Sequence, residues 1–312
     1  MLTKRQLLAT AAVAASVAIA GNASAQNKKV TIGLAVANLQ ADFFNQIKQS
    51  VDQDCKKRGI ELVVADANGD ATTQVSQIQD MITRKISALI YIPAGATAAG
   101  VPVRAAKAAG IPVIAVDRNA PDAPGDTFIA TNSVAAAKEL GEFVIKVTDG
   151  KGQIAIIQGQ LGTTPELDRD KGFSKALATA PGLKVVAKQA STKWMQDEGF
   201  AIGQDMLQRD PNITVFFGRA DALALGAAQA VKVANLDHKV LVVGFDGDIA
   251  GLKAVKAGTL DATMTQRTQA MGRLAVASAL DLLAGKQVPR EQLQPATLTT
   301  KDNVDQFIAE HP

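Results

Sequence analysis

The chain states one α/β pattern twice. Residues 88–117 read ALIYIPAGATAAGVPVRAAKAAGIPVIAVD, and residues 214–246 read TVFFGRADALALGAAQAVKVANLDHKVLVVGFD. Each is an apolar run, a turn, an Ala-rich helical stretch and a second apolar run ending in Asp. The flanks repeat as well. Gly59–Asp66 (GIELVVAD) answers to Gly182–Gln189 (GLKVVAKQ), and Thr31–Val36 (TIGLAV) to Gln153–Gln158 (QIAIIQ). A duplicated unit of this kind predicts two lobes facing a shared cleft. Each lobe then sets one carboxylate, Asp117 or Asp246, at a strand end, a geometry suited to holding a small polar molecule.

The periodicity supports that reading throughout. Short apolar runs near 30–36, 60–66, 88–92, 112–116 and 127–130 alternate with helical patterns near 43–58, 71–84, 98–109 and 134–148. The second half repeats the alternation, with strands near 153–158, 183–190, 213–217, 240–245 and 262–266. Apolar strands joined by helical crossovers imply parallel sheets covered on both faces. Gly59, Gly110 and Gly258 stand where helices end in a left-handed residue. Ser133, Asp197 and Asp221 stand at expected N-caps. A further helix (about 269–284), a strand (about 293–299) and a short terminal helix (302–309) have no counterpart in the repeat. They are expected to cross back between the lobes near 130–132, 266–267 and 295–298. The fold class is therefore α/β: two doubly wound parallel-sheet lobes joined by a three-strand hinge, with a ligand in the interlobe cleft. The expected division is 26–131 with 267–296 in the N-terminal lobe, and 132–266 with 297–312 in the C-terminal lobe.

The beginning of the sequence has a separate purpose. Lys4 and Arg5 precede an apolar run, Leu7–Ala20, and Ala23-Ser24-Ala25 offers a small-residue cleavage site. This is the form of a cleaved secretory signal, too short to span a bilayer, and it predicts a periplasmic protein. Without it, 33 basic residues become 31 against 30 acidic ones. A near-neutral chain gives no electrostatic reason to expect a nucleic-acid partner. The lone Cys55 shares a helical stripe with Phe44, Ile47 and Val51 and reads as core.

In open α/β sheets ligands sit beyond the carboxyl ends of the strands. There the sequence places Asn38, Phe43 and Phe44, then Ile92, then Asp117 and Arg118. In the second half it places Arg169, Trp194, Arg219, Asp246 and Gln266. Carboxylates and guanidinium groups take adjacent hydroxyls in charge-assisted bonds, and aromatic faces cover the C–H side of a sugar ring. The set suits a neutral polyhydroxylated ligand. Catalysis is not indicated: His238 and His311 lack a Ser or Cys partner, no Cys/His cluster has zinc spacing, and the GxxxxGK[ST] phosphate loop is absent. No cofactor and no metal are expected. Paired acids could run glycosidase chemistry, but one acid per lobe reads as a clamp.

Together these residues resemble the periplasmic sugar-binding proteins of the ribose-binding type over nearly the whole chain after the signal segment. The matching pieces are Phe43-Phe44, Ile111-Pro112-Val113 leading to Asp117-Arg118, Arg169 before Gly172-Phe173, Asp221 with Ala224–Ala227, Val243–Gly247, and Gln266. The resemblance implies closure on one monosaccharide and delivery to an ABC permease, with some members engaging chemoreceptors. It assigns ligand contacts to Phe43, Phe44, Asp117, Arg118, Arg169, Trp194, Asp246 and Gln266, with Asn38, Arg219 and Ile92 as weaker candidates. Trp194 stands where the ribose binder has Phe. Ala37, Ala41, Ile92 and Ala220 replace small polar residues, which predicts a ligand with fewer hydroxyls on that side: a deoxy sugar or small polyol. Arg219, in place of an amide, leaves an acidic sugar open. A sensor subunit and an exported carbohydrate-active enzyme using Asp117 and Asp246 are the competing readings.

Overall fold

The computed structural model describes residues 29–311, so the expected signal segment, Met1–Ala25, lies outside the described residues. The first half runs β1 (Thr31–Val36), α1 (Asp42–Arg58), β2 (Glu61–Asp66), α2 (Ala71–Thr83), β3 (Ala88–Tyr91), α3 (Gly100–Ala108), β4 (Val113–Val116) and β5 (Thr127–Thr131). The second runs α4 (Ser133–Val147), β6 (Gly152–Gln158), α5 (Thr164–Leu177), β7 (Leu183–Ala190), α6 (Gln196–Arg209), β8 (Val215–Gly218), α7 (Asp221–Ala234), β9 (Leu241–Val243), α8 (Ile249–Ala257) and β10 (Thr263–Thr265). The chain closes with α9 (Thr268–Leu283), β11 (Glu291–Gln294), β12 (Thr297–Thr299) and α10 (Val304–Glu310).

The first sheet is parallel, in the order β11-β5-β4-β3-β1-β2. The second is β7-β6-β8-β9, extended by single parallel bridges to β10, which pairs antiparallel with β12. Laid side by side, β2-β1-β3-β4-β5-β11 and β7-β6-β8-β9-β10-β12 are the same order. The sequence repeat is thus a repeat of whole sheets. They differ at the last strand, which is parallel in the first sheet and antiparallel in the second. The chain passes between the sheets after β5, after β10 and between β11 and β12. No glycine-rich tether joins the lobes.

Burial explains why these runs are strands. Residues of β3, β4 and β5 are buried on both faces, as a helix-covered parallel sheet requires. One core packs α1 and α9 on the first sheet, with Ile47, Val51 and Cys55 against Met271, Ala275 and Val276. The second sheet has a core on each face, one with α4 and α5 and one with α6, α7 and α8. Burial pushes the Cys55 thiol up to about 11, in keeping with a core residue.

Gly59, Gly110 and Gly258 take the expected left-handed φ of 67°, 72° and 78°. The expected N-caps shift. Asn132, not Ser133, caps α4, its Oδ1 accepting from the Ala135 amide at 3.2 Å. Met195, two residues before Asp197, takes the N-cap position of α6 without a side-chain cap, and Glu198 gathers the loop amides of Thr192 and Lys193. Asp221 lies inside α7 and its carboxylate has another use, described below.

Candidate functional site

A cavity of about 240 Å³ lies between the carboxyl ends of the two sheets. Phe43, Phe44, Asp117 and Arg118 line it from the first lobe, and Arg169, Trp194 and Asp246 from the second. The repeat places the two acids alike. The Asp117 amide donates to the Ile129 carbonyl of β5 at 2.8 Å, and the Asp246 amide to the Met264 carbonyl of β10 at 3.0 Å. Both residues have positive φ, 59° and 132°, as does Trp194 at 63°. Non-glycine residues are rare there, and such strain gathers at functional sites.

Each acid has a guanidinium partner. Arg118 Nε stands 3.6 Å from Asp117 Oδ2, and Arg118 is anchored by donating to the Pro93 and Ala94 carbonyls. Arg169 Nη2 donates to Asp246 Oδ1 at 3.1 Å, and its Nη1 donates to the Arg219 carbonyl. The aromatic groups cover these cations. Arg118 lies 5.2 Å from the Phe44 ring and 5.7 Å from that of Trp194, and Arg169 lies 3.9 Å from that of Phe245. Phe43 and Phe44 meet edge to face at 5.3 Å. Both are nearly buried and both line the cavity. Gly159 makes room for Trp194: a Cβ there would fall 1.8 Å from the indole.

Burial pushes both carboxyls above their usual range. For Asp117 the guanidinium groups of Arg118 and Arg169 oppose this. For Asp246 Arg169 opposes it, while Asp221 and Asp117 add to it. Burial likewise lowers Arg118. The site thus holds buried charge that hydroxyl donors would satisfy.

Four expected contacts stand elsewhere. Gln266 lies behind the wall: its Nε2 donates to Asp246 Oδ1 at 2.7 Å, and its Oε1 accepts from Thr131 Oγ1. It positions the acid from the hinge. Arg219 is fully buried and does not line the cavity, because its Nη2 donates to Asp170 at 2.6 Å and its Nη1 lies 4.0 Å from Glu166. That guanidinium is turned toward protein acids, which removes the argument for an acidic sugar. Asn38 turns back to its own loop, its Oδ1 accepting from the Gln40 amide. Ile92 is core, and its carbonyl accepts from Gln74 Nε2. Of the apolar replacements, Ala41 and Ala220 reach the cavity wall, whereas Ala37 and Ile92 do not.

Two acids escape the sequence reading. Asp221 is fully buried, and its carboxylate accepts from the Gly247 and Asp248 amides (2.8 and 3.0 Å) and from Thr263 Oγ1 (2.6 Å). It shapes the loop that carries Asp246. Asp248 lines the cavity itself, with Ile249 and Ala250. Its place two residues after a strand-end Asp is the signal that could have found it. The lobes meet across the cleft. The Asn119 amide donates to Thr164 Oγ1 at 3.1 Å, and the Ile249 amide to Asp42 Oδ2 at 3.1 Å.

A family model described as the periplasmic binding protein domain matches residues 32–287. The ribose import binding protein RbsB of Bacillus subtilis (strain 168) is 32% identical over 278 residues, 89% of this chain and 90% of that protein. The xylitol-binding protein of Mycolicibacterium smegmatis is 35% identical, over 93% of this chain and 82% of that one. Among solved structures, an ABC transporter solute binding protein from Mycobacterium smegmatis with bound glycerol superposes with a TM-score of 0.85 at 29% identity. It covers 90% of this chain, and the match takes in 97% of that one.

Proposed function

This chain belongs to the periplasmic binding protein domain family, among proteins of the ribose-binding type, and from that premise we propose that it captures a small sugar, deoxy sugar or polyol. Members of this group are binding proteins of ABC transporters rather than enzymes, and they work in the periplasm. The finer reading is that Met1–Ala25 directs export and is removed. The lobes 26–131 with 267–296 and 132–266 with 297–312 then close on the ligand, and the closed form delivers it to an ABC permease. A chemoreceptor would read the same closed surface.

The observation that carries this reading is the pair of repeat-related, guanidinium-backed aspartates facing one cavity from opposite lobes. Each acid accepts hydroxyl hydrogen bonds, and Phe43, Phe44 and Trp194 cover the carbon face. Because one ligand touches both lobes only when they are shut, binding favours closure. The apolar wall at Ala41, Ala220, Ala222 and Leu225 satisfies no hydroxyl. A hydroxyl aimed there would lose roughly 1–3 kcal/mol, which supports a ligand with fewer hydroxyls on that side than ribose. The relatives named for xylitol and solved with glycerol support the polyol side of the class.

A thermal-shift screen of the unfolded-and-refolded protein against pentoses, hexoses, deoxy sugars, sugar acids and polyols tests it. A ligand at about 100 times its Kd adds about 2.7 kcal/mol of stability, a plain upward shift. A flat response to the whole panel would sink the reading.

A further inference from the structure

Asp117 and Asp246 each have a guanidinium beside them, but Asp248 does not. Asp248 lines the same cavity, is 9% exposed, and its enclosed Oδ1 has no hydrogen-bond partner. It occupies the N-cap position of α8 without capping it. The first amide of that helix, Ile249, donates instead to Asp42 from the other lobe. The charged groups that weigh most on Asp248 are Asp246, Asp221 and Asp42 on the acidic side and Arg169 on the basic side, with His311 facing Asp42. Arg169 is already engaged by Asp246 and by the Arg219 carbonyl. Asp221 is occupied by two amides and a hydroxyl. Burial and the neighbouring acids push the Asp248 carboxyl well above the usual carboxylate range.

A neutral polyol would bring hydroxyl donors to this carboxyl but no charge to favour its ionised form. A protonated amine brings donors and the missing charge together. We propose that the ligand is a small polyol or sugar bearing one protonated amino group, and that Asp248 seats the ammonium. The two Asp–Arg pairs then hold the hydroxyls. This inference rests on the capture of a small polyhydroxylated molecule argued above and narrows its class. It also accounts for an acid on a wall whose other members near α8, Ile249 and Ala250, are apolar.

The test is calorimetric titration with matched probes: xylitol against its monoamino derivatives, glycerol against 3-aminopropane-1,2-diol and 2-aminopropane-1,3-diol, and glucose against glucosamine. At neutral pH at least one amino compound should bind about tenfold or more tightly than its parent. That preference should vanish as pH rises through the amine's own ionisation. D248N should bring the amino compound and its parent to within about twofold, and D248S, which keeps a capping residue at the helix start, serves if D248N does not fold. Parents binding as well as every amino derivative would overturn the ammonium seat and leave sugar or polyol capture standing. No binding by any parent, sugar or amino compound would overturn both.

Discussion

Asp117 and Asp246 combine an unfavourable backbone with an unfavourable burial. Positive φ costs of order 1–3 kcal/mol at a non-glycine residue, and desolvation raises both carboxyls. The Arg118 and Arg169 guanidinium groups and Gln266 offset part of this in the empty site, and ligand hydroxyls add to it. Removing Asp117 should accordingly weaken binding by about 2–5 kcal/mol, read as the Kd of D117A for whichever compound the screen selects; wild-type affinity would remove Asp117 from the site. The same burial sets a pH dependence. A carboxyl raised above its unfolded value holds its proton more firmly in the folded protein, so its contribution favours the folded, ligand-free protein at low pH. That contribution is lost as pH rises through the raised value. Ligand donors prefer the ionised carboxylate and release the proton. Affinity should therefore fall as pH drops from neutrality toward the ordinary carboxylate range, with proton release on binding and a weaker effect in D246N. Titrations in buffers of different ionisation enthalpy would show it, and a flat profile between about pH 5 and pH 7.5 would refute it.

Helix packing places the second lobe's part of the wall. Helices α6 and α7 approach at Gly199 and Gly226, where a Cβ on Gly226 would fall 2.3 Å from the Gln196 carbonyl oxygen. Gln196, at the start of α6, and Leu225, within α7, both line the cavity. Gly226→Ala should lower stability by about 1–3 kcal/mol through overpacking and weaken ligand binding with it. An unchanged denaturation midpoint would show that the helices separate freely. Elements of this kind were legible in the sequence: β7 falls on the expected residues and most other expected elements lie within two, whereas the single strand expected near 293–299 is two, β11 and β12, in different sheets. Apolar period and glycine stops depend on neighbours along the chain, which a sequence displays. The caps at Ser133, Asp197 and Asp221 were not legible, because the competing partners Asn132, Glu198 and the Gly247 loop are chosen by tertiary contacts. Arg219 and Gln266 were correctly set near strand ends, but their direction depended on Asp170 and Thr131, which no local pattern reveals. Asp248 was passed over because its meaning lies in a missing partner.

At the scale of the whole molecule, protein groups alone bridge the two lobes. Asp42, at the start of α1, accepts from the Ile249 amide and faces His311 Nε2 at 3.2 Å, both from the opposite lobe. Asp42 also lines the cavity, so this bridge between the lobes adjoins the ligand site. Asp42→Ala should cost about 1–2 kcal/mol, a roughly five- to thirtyfold rise in Kd. Small-angle scattering should show a more open ligand-free population; unchanged affinity and scattering would mean the latch contributes nothing. The three passages between sheets have a consequence for how the chain is made. The first sheet's edge is β11, Glu291–Gln294, and its core needs α9, which packs on α1 across more than two hundred residues of sequence. The first half therefore cannot reach its native form while the rest is still being synthesised. A nascent chain of this topology leaves its first sheet unfinished until β11 has been made, which makes α9 and β11 the late partners on which folding of the first half waits.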